Sequence, residues 1–370
     1  MRQERQLVDS LIAELTTDSI DVVLAYRGGR RWVQTYTPAP LSEGDTVKRP
    51  LREQGVYLIT GGLGSVGYLL GQYLARTVKA RLVLSSRSGL PPRSQWADIL
   101  ATSGEKDGTA LKIRRVQTLE ALGAEVMAAR ADVADEAQMR TLVTQIHDRF
   151  GQLDGVLHVA GTASGPSFLC PLTKLGYAEI EMHIHPKAYG SYVIEKVLKD
   201  KELDFCILFS STVTLFGGLG SGAYTAASAF LDAFATQRNQ ASAIPWISVN
   251  WDPWPGETKW YEGLQTSLNK YTMTPEESQE AFWRVTCLAD EGQVAVVTGD
   301  LLARFDLWVT RAANKERQAI TTHERPALVG TYIAPRDDTE QTIAEIWARV
   351  LGIEQVGVDD NFSTWEGIHC

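Results

Sequence analysis

Apolar residues recur at helical spacing in the first stretch (Leu7, Leu11, Ile12, Leu15), and two short apolar runs, VVLAY and RWVQTY, then flank the turn Gly28-Gly29. The spacing predicts a helix followed by a hairpin. Residues 38–50 carry prolines, a glycine and polar side chains, which marks a linker. From Val56 the pattern changes to strand VYLIT, a glycine turn, an amphipathic segment through Ala75 and strand RLVLSS, which is a βαβ unit. The alternation continues through AEVMAARADV, a helix near 136–149, GVLHVAG, a long segment near 172–199 and FCILFSS. It ends with the helix AYTAASAFLDAFATQR, the strand WISVNW, a helix beginning near Pro275 and the strand VAVVTGD. Strands alternating with helices of this length predict an α/β fold, a parallel sheet wrapped on both faces, preceded by a small helix–hairpin fragment. Residues 311–338 are polar and basic with Pro326 and Pro335, a second linker, and the last helix is TEQTIAEIWARVLG. No internal repeat is visible.

Composition narrows the class. The chain has 370 residues, 44% hydrophobic and 22% charged, the balance of a soluble globular protein with a sizeable core. Its 36 basic and 45 acidic residues give a net charge of −9, which argues against nucleic acid or an anionic membrane as the main partner. Cys170, Cys206, Cys287 and Cys370 lie far apart with no C-x-x-C pair, so neither a disulfide framework nor a metal site is expected. The charged N-terminus has no signal-like apolar core, and no run reaches the roughly 18 to 20 apolar residues of a membrane span. A cytoplasmic location is the expectation.

Two constellations carry chemistry. Gly62, Gly64, Ser65, Val66 and Gly67 form a G-x-G-x-x-G turn between a strand and a helix, where missing Cβ atoms and free helix N–H groups suit a pyrophosphate. The next strand ends in Ser85-Ser86-Arg87, at the register where a dinucleotide fold meets the adenosine ribose. An acidic residue there would bind the 2′-hydroxyl of NAD. Arg87 instead suits the 2′-phosphate of NADPH, the alternative being a solvated surface charge. Asp132 ends the third strand and either contacts the adenine or caps the following helix. Residues 87–122 exceed one crossover and predict a helical insertion beside the cofactor face, either tolerated or functional. The second constellation is Ser210-Ser211 at a strand end with Tyr224 at the start of the following helix. The serine and tyrosine hydroxyls would face the crevice. A tyrosine with pKa near 10 needs a nearby cation to exchange protons at neutral pH. Four residues on stands Ser228, not lysine, so the plain Tyr-x-x-x-Lys arrangement is missing.

TGGLGSVG, SSRSG, ADVAD, HVAG, HPKAYG, LFSS, AYTAASAFLDAFA, SVNWDPW and TGDLLARFDLW, in that order, resemble the ketoreductase domain of modular polyketide synthases and hybrid peptide–polyketide assembly lines, within the short-chain dehydrogenase/reductase superfamily. The resemblance covers about residues 20–310 and implies a Rossmann-type doubly wound parallel sheet, with strand order 3-2-1-4-5-6-7. It implies that the lysine comes from an earlier helix as Lys187, giving a catalytic set of Lys187, Ser211 and Tyr224. The family usually has Asn where Ser228 stands, and serine retains a hydrogen-bonding hydroxyl. The implied cofactor set adds Ser86, Val133, Ala160 and Gly161 to the glycine loop, Arg87 and Asp132. His158 is expected to be a packed strand residue. His183 and His185 lack a third ligand at metal spacing. The WDPW tryptophans are read as core and lid anchors or substrate stackers, and Trp260 and Tyr261 as part of a lid.

The resemblance also sets the domain reading: residues 1–50 a remnant of the preceding structural subdomain with its linker, 51–310 the catalytic domain, 311–338 a linker, and 339–370 a truncated start of a carrier domain. In the last of these, DNFSTWEGIHC has no serine after Gly367 to carry phosphopantetheine. The implied reaction is NADPH-dependent reduction of a carrier-bound β-ketoacyl thioester. An acyl or peptidyl carrier domain and neighbouring synthase domains would be the partners. Reduction of an α-ketoacyl group in a peptide assembly line, or a non-catalytic scaffold that kept the fold, are the alternatives. Thr162-Ala163-Ser164-Gly165 lacks the LDD signature of one stereochemical type, and aromatic Phe216 leans towards the other.

Overall fold

The computed structural model describes residues 2–16, 21, 23–41, 51–104, 107–162, 168, 170–218, 220–256, 269–288, 291–310, 332–351 and 354–360. The expectations for residues 42–50, 163–165, Trp260, Tyr261, 311–331 and the tail from 361 lie outside the described residues. The chain divides into two compact units, Met1–Glu262 with Ser267–Leu301, and Gly263–Thr266 with Leu302–Cys370.

In the first unit, helix α1 (Arg2–Leu15) precedes the antiparallel hairpin β1 (Leu24–Arg27) and β2 (Arg30–Val33). Glu14 of α1 accepts from Tyr26 Oη at 2.7 Å and from both nitrogens of the Arg31 fork at 2.8 and 2.7 Å, so a carboxylate clips the helix to the hairpin. Leu7, Leu11, Ile12 and Leu15 of α1 remain exposed.

The sheet begins at β3 (Val56–Thr60), all five residues of which are buried. Helix α2 (Ser65–Val78) returns to β4 (Arg81–Ser86), and α3 (Trp96–Thr102) with α4 (Gly108–Ala121) forms the expected insertion before β5 (Glu125–Arg130). Helix α5 (Glu136–Phe150) leads to β6 (Gly155–His158). The long segment that follows holds α6 (Tyr177–Ile184), a π turn over His185–Tyr189 and α7 (Gly190–Leu198). Strand β7 (Phe205–Ser211), a short α8 (Val213–Phe216), α9 (Gly222–Asn239), β8 (Trp246–Trp251), α10 (Pro275–Cys287) and β9 (Gln293–Val296) complete the unit.

All seven sheet strands run parallel in the order β5-β4-β3-β6-β7-β8-β9, the order read from the sequence. Covering both faces explains why β3, β7 and β8 are continuous apolar or fully buried runs. Alternate side chains serve opposite cores. Tyr57 and Ile59 pack with Leu70 and Leu74 of α2, Ile113 and Val116 of α4 and Phe282 of α10. Val56 and Leu58 pack with Leu142 and Ile146 of α5, Ile194 of α7 and Leu231 and Phe234 of α9. Helix ends are set by local chemistry. Asp135, not Asp132, caps α5 by accepting from Gln138 N at 3.0 Å, and Gly151 ends it at φ 78°. Asp132 makes a shorter turn, accepting from Ala134 N at 3.0 Å. Thr274 and Glu277 form a capping box on α10.

In the second unit a helix spans Asp338–Leu351, with Arg336 paired to Glu340 at its start and Ile343, Ile346 and Trp347 exposed. Among the described residues no helix is long and apolar enough to cross a membrane.

His158 ends β6 fully buried, with Nδ1 2.8 Å from Thr60 Oγ1. Burial and, second, the Lys187 charge lower its pKa to about 4. The folded protein therefore keeps the ring neutral while the unfolded chain protonates it below about pH 6.5. The resulting contribution, roughly 3 kcal/mol, is complete above that pH and lost as pH falls towards about 4. Urea unfolding of wild type and His158→Gln across pH 7 to 4 checks this: the stability gap between them should shrink as pH falls. A gap independent of pH would assign the residue a packing role alone.

Candidate active site

The carboxyl ends of β3, β4 and β6 open into a cleft of about 1180 Å³. Gly64, Ser65, Ser86, Arg87, Asp132, Val133, Ala160 and Gly161 all line it, so the structure brings these sequence-predicted residues to one place. Gly62 and Gly67 do not line it. A Cβ on Gly67 would lie 2.6 Å from the Gly62 Cα, and one on Gly62 would lie 2.8 Å from the Ile59 carbonyl oxygen, so these glycines let strand, turn and helix close on one another. Val66 instead faces the adjoining pocket. Gly61, which the G-x-G-x-x-G spacing passes over, has φ 68°, and a Cβ there would stand 3.0 Å from the Ala160 Cα. The doubled glycine of TGG was the only signal for it. Gly64 is the N-cap of α2 and supplies no side-chain cap, which leaves the first N–H groups of that helix for an anion.

Two further cations on this cleft escaped sequence reasoning. Lys112 and Arg115 come from α4, the insertion, and line the same wall as Arg87. Arg115 donates to the Leu63 carbonyl at 2.7 Å and lies 5.3 Å from the Tyr68 ring centroid, propping the glycine turn from outside the βαβ unit. Lys112 Nζ donates to Ser88 Oγ at 2.9 Å. The basic run Lys112-Ile113-Arg114-Arg115 carries no motif, so only its tertiary placement shows the role. Asp132 lies on the same cleft, 3.7 Å from His185 Nε2.

Next to the cleft is a smaller cavity of about 120 Å³ that collects Lys187, Ser211, Tyr224, Trp251 and Trp254. Ser211 ends β7, and Tyr224 stands in the first turn of α9. Lys187 arrives from the π turn between α6 and α7. Widening the helix by one residue there buries the side chain and lets Nζ donate to the Phe209 carbonyl at 2.7 Å. The ammonium is 5.0 Å from the Tyr224 ring centroid. His183 and Phe168 pack edge-on against that ring with centroids at 5.8 and 5.0 Å. His183 is thus an aromatic wall of the tyrosine, a placement that its spacing in the sequence does not suggest. Ser228 lies one turn beyond Tyr224, fully buried, its backbone oxygen accepting from Ser210 Oγ at 3.1 Å. Among the described residues its own hydroxyl has no hydrogen-bond partner. Trp251 and Trp254 are buried against Phe209 and also line the cavity, so they are core anchors and pocket wall at once.

Comparison with known proteins identifies the family. The family model of the KR domain matches residues 55–256. The 6-methylsalicylic acid synthase of Aspergillus terreus is 37% identical over 204 residues, 55% of this chain and 11% of that protein. The polyketide synthase PksM of Bacillus subtilis is 30% identical over 242 residues, 65% of this chain and 5% of that protein. The chain therefore spans a small fraction of the curated relatives it matches. Among solved structures, a ketoreductase domain from the bacillaene assembly line superposes with TM-score 0.65 at 28% identity, covering 82% of this chain and 68% of that one. The first ketoreductase of the tylosin polyketide synthase gives 0.64 at 26% identity, covering 82% and 62%. The chain belongs to the KR family, the ketoreductase domains of polyketide synthases within the short-chain dehydrogenase/reductase superfamily.

Proposed function

We propose that residues 51–310 reduce a β-ketoacyl thioester, delivered by an acyl or peptidyl carrier domain, to the hydroxyacyl thioester, with NADPH as the cofactor and in the cytoplasm. The observation that carries this reading is the buried Lys187 ammonium beside the Tyr224 ring in the cavity that also holds Ser211. The cofactor, when bound, supplies the hydride. The glycine turn is closed so tightly that a Cβ would fill it, and the cleft wall carries Arg87, Lys112 and Arg115, so the residues present fit a phosphate-bearing dinucleotide.

The residues have distinct tasks. Ser211 donates a hydrogen bond to the ketone oxygen and orients the carbonyl. Tyr224 then delivers the proton to that oxygen as negative charge develops on it. Lys187 stabilises the phenolate left behind, lowering a pKa that would otherwise lie near 10. Phe168 and His183 pack against the ring and fix its angle, while the two tryptophans wall the site. Ser85 and Ser86 close the adenosine side with Arg87, Asp132 and Val133, while Ala160 and Gly161 leave room for the nicotinamide end.

The scaffold alternative has one observation in its favour, the unpartnered buried hydroxyl of Ser228. Turnover of matched β- and α-ketoacyl thioesters with NADPH, with chiral analysis of products, tests all three readings together. Consumption of the β-keto substrate supports the proposal, preference for the α-keto substrate moves it to the peptide-assembly chemistry, and inertness towards both supports the scaffold.

Tyr224→Phe removes the proton donor and keeps the ring. Reduction should fall by roughly 10²-fold or more, the range of a general acid, while cofactor affinity by fluorescence titration stays near wild type. Near-normal turnover would take Tyr224 out of the mechanism.

Cofactor choice gives a second check. A charge-assisted hydrogen bond contributes roughly 1.5 to 3 kcal/mol, or about 10- to 100-fold in affinity. Arg87→Asp should lower the preference for NADPH over NADH, read as the ratio of their dissociation constants, by at least that much, and Arg115→Ala should weaken both cofactors by loosening the glycine turn. Wild-type preference for NADH, or a ratio unmoved by Arg87→Asp, would return Arg87 to the solvent-exposed surface.

A further inference from the structure

Ser211 and Tyr224 are joined by a connection with glycines at 217, 218 and 220, two of them at φ 72° and 75°. Such a connection does not by itself hold two hydroxyls at a reactive separation. A side-chain network between α9, β8 and the end of β7 adds a further tie. Asp232 lies two helical turns beyond Tyr224, and its Oδ1 accepts from Ser248 Oγ at 2.6 Å while Oδ2 accepts from Asn250 Nδ2 at 2.8 Å. The same Asn250 amide nitrogen is 2.8 Å from Thr214 Oγ1 and 3.1 Å from Ser210 Oγ, and Ser210 Oγ donates to the Ser228 carbonyl at 3.1 Å. Gln293 of β9 donates to Asn250 Oδ1 at 2.9 Å, fixing which end of the amide faces the carboxylate. One partly buried carboxylate thus ties together the end of β7, the start of α8, helix α9 and strand β8. Burial raises its pKa on balance against the opposing pull of the four hydroxyl and amide contacts, and among the described residues those contacts, with no ion pair, hold the carboxylate.

We propose that Asp232 is a positioning residue for the reduction: through Asn250 and Ser210 it sets the distance between Ser211 at the end of β7 and Tyr224 on α9. The inference rests on the catalytic reading of those two hydroxyls. Asp232 touches neither substrate nor cofactor. It acts by fixing the strand end and the helix to one another, and small misplacements of reacting groups are costly. A shift of about 1 Å can cost roughly 10²-fold in rate.

The test compares Asp232→Leu, Asp232→Asn and the exchange Asp232→Asn with Asn250→Asp. In Asp232→Leu, kcat on a β-ketoacyl thioester, per folded molecule counted by cofactor titration, should fall about 10²-fold with the cofactor dissociation constant little changed. Asp232→Asn keeps one acceptor and should lose less. The exchange restores carboxylate facing amide and should recover most of the rate. If Asp232→Leu does not fold, Asn250→Ala cuts the relay one step later and carries the same expectation. A crystal structure of the variant supplies a readout independent of turnover: Ser211 should shift relative to Tyr224. Unchanged kcat per folded molecule, or a variant structure with both hydroxyls in place, overturns the inference. A wild-type chain that reduces no thioester counts against the catalytic reading, and the crystal structure still decides whether Asp232 sets the separation.

Discussion

The buried ammonium of Lys187 is the constraint on which the catalytic unit depends. Taking an unpaired cation out of water costs several kcal/mol, so the fold must bring oxygen and π density to it. It does so with the Phe209 carbonyl at 2.7 Å and the face of Tyr224 at 5.0 Å. An ordinary helix through this segment lacks the extra residue, and the π turn at His185–Tyr189 follows from that need. Neighbouring choices follow as well. A Cβ at Gly161 would lie 3.3 Å from the lysine Cε, and one at Gly190 would meet Val133 at 2.9 Å and His158 at 3.2 Å. His158 stays neutral because it is buried and because a second positive charge beside the first would repel it.

What the sequence makes legible is whatever depends on short-range pattern. Seven strands, the insertion and the glycine turn can be read from alternation and spacing, because a parallel sheet covered on both faces leaves continuous apolar runs, whereas the strand order came with the resemblance. Ser211 and Tyr224 are readable as hydroxyls at a strand end and a helix start. Lys187 is not, because it stands thirty-seven residues before Tyr224 and reaches it only through a widened helix turn; resemblance to a family supplied it. Asp232 stands inside AYTAASAFLDAFA without a spacing that names its chemistry, and Arg115 has no motif at all. Each belongs to a helix face that periodicity assigns simply to the polar side, and only the packing of α9 against β8, or α4 against the glycine turn, gives it partners.

Ser228 shows how close such a site runs to its limits. An unsatisfied buried hydroxyl costs about 1 to 3 kcal/mol, and here it sits one turn from Tyr224 with its backbone oxygen already committed to Ser210. Local dissatisfaction of this kind concentrates at functional sites because stability elsewhere carries it.

Electrostatics in the cleft separates from the charge of the whole chain. A net charge of −9 opposes a polyanionic ligand at long range, yet screening limits that opposition to about 8 Å at physiological ionic strength. Among the described residues the cleft lining offers such a ligand Arg87, Lys112, Arg115 and the uncapped start of α2, with Asp132 as the carboxylate on it. Two of those cations ride on α4, whose apolar face (Ile113, Val116, Leu119) anchors it to the core while its polar face lines the cleft. The insertion therefore adds positive charge to the cleft without altering the βαβ unit beneath it. Charge selectivity and sheet stability rest on opposite faces of one helix, so substitutions at Lys112 and Arg115 can change the first while the apolar face preserves the second.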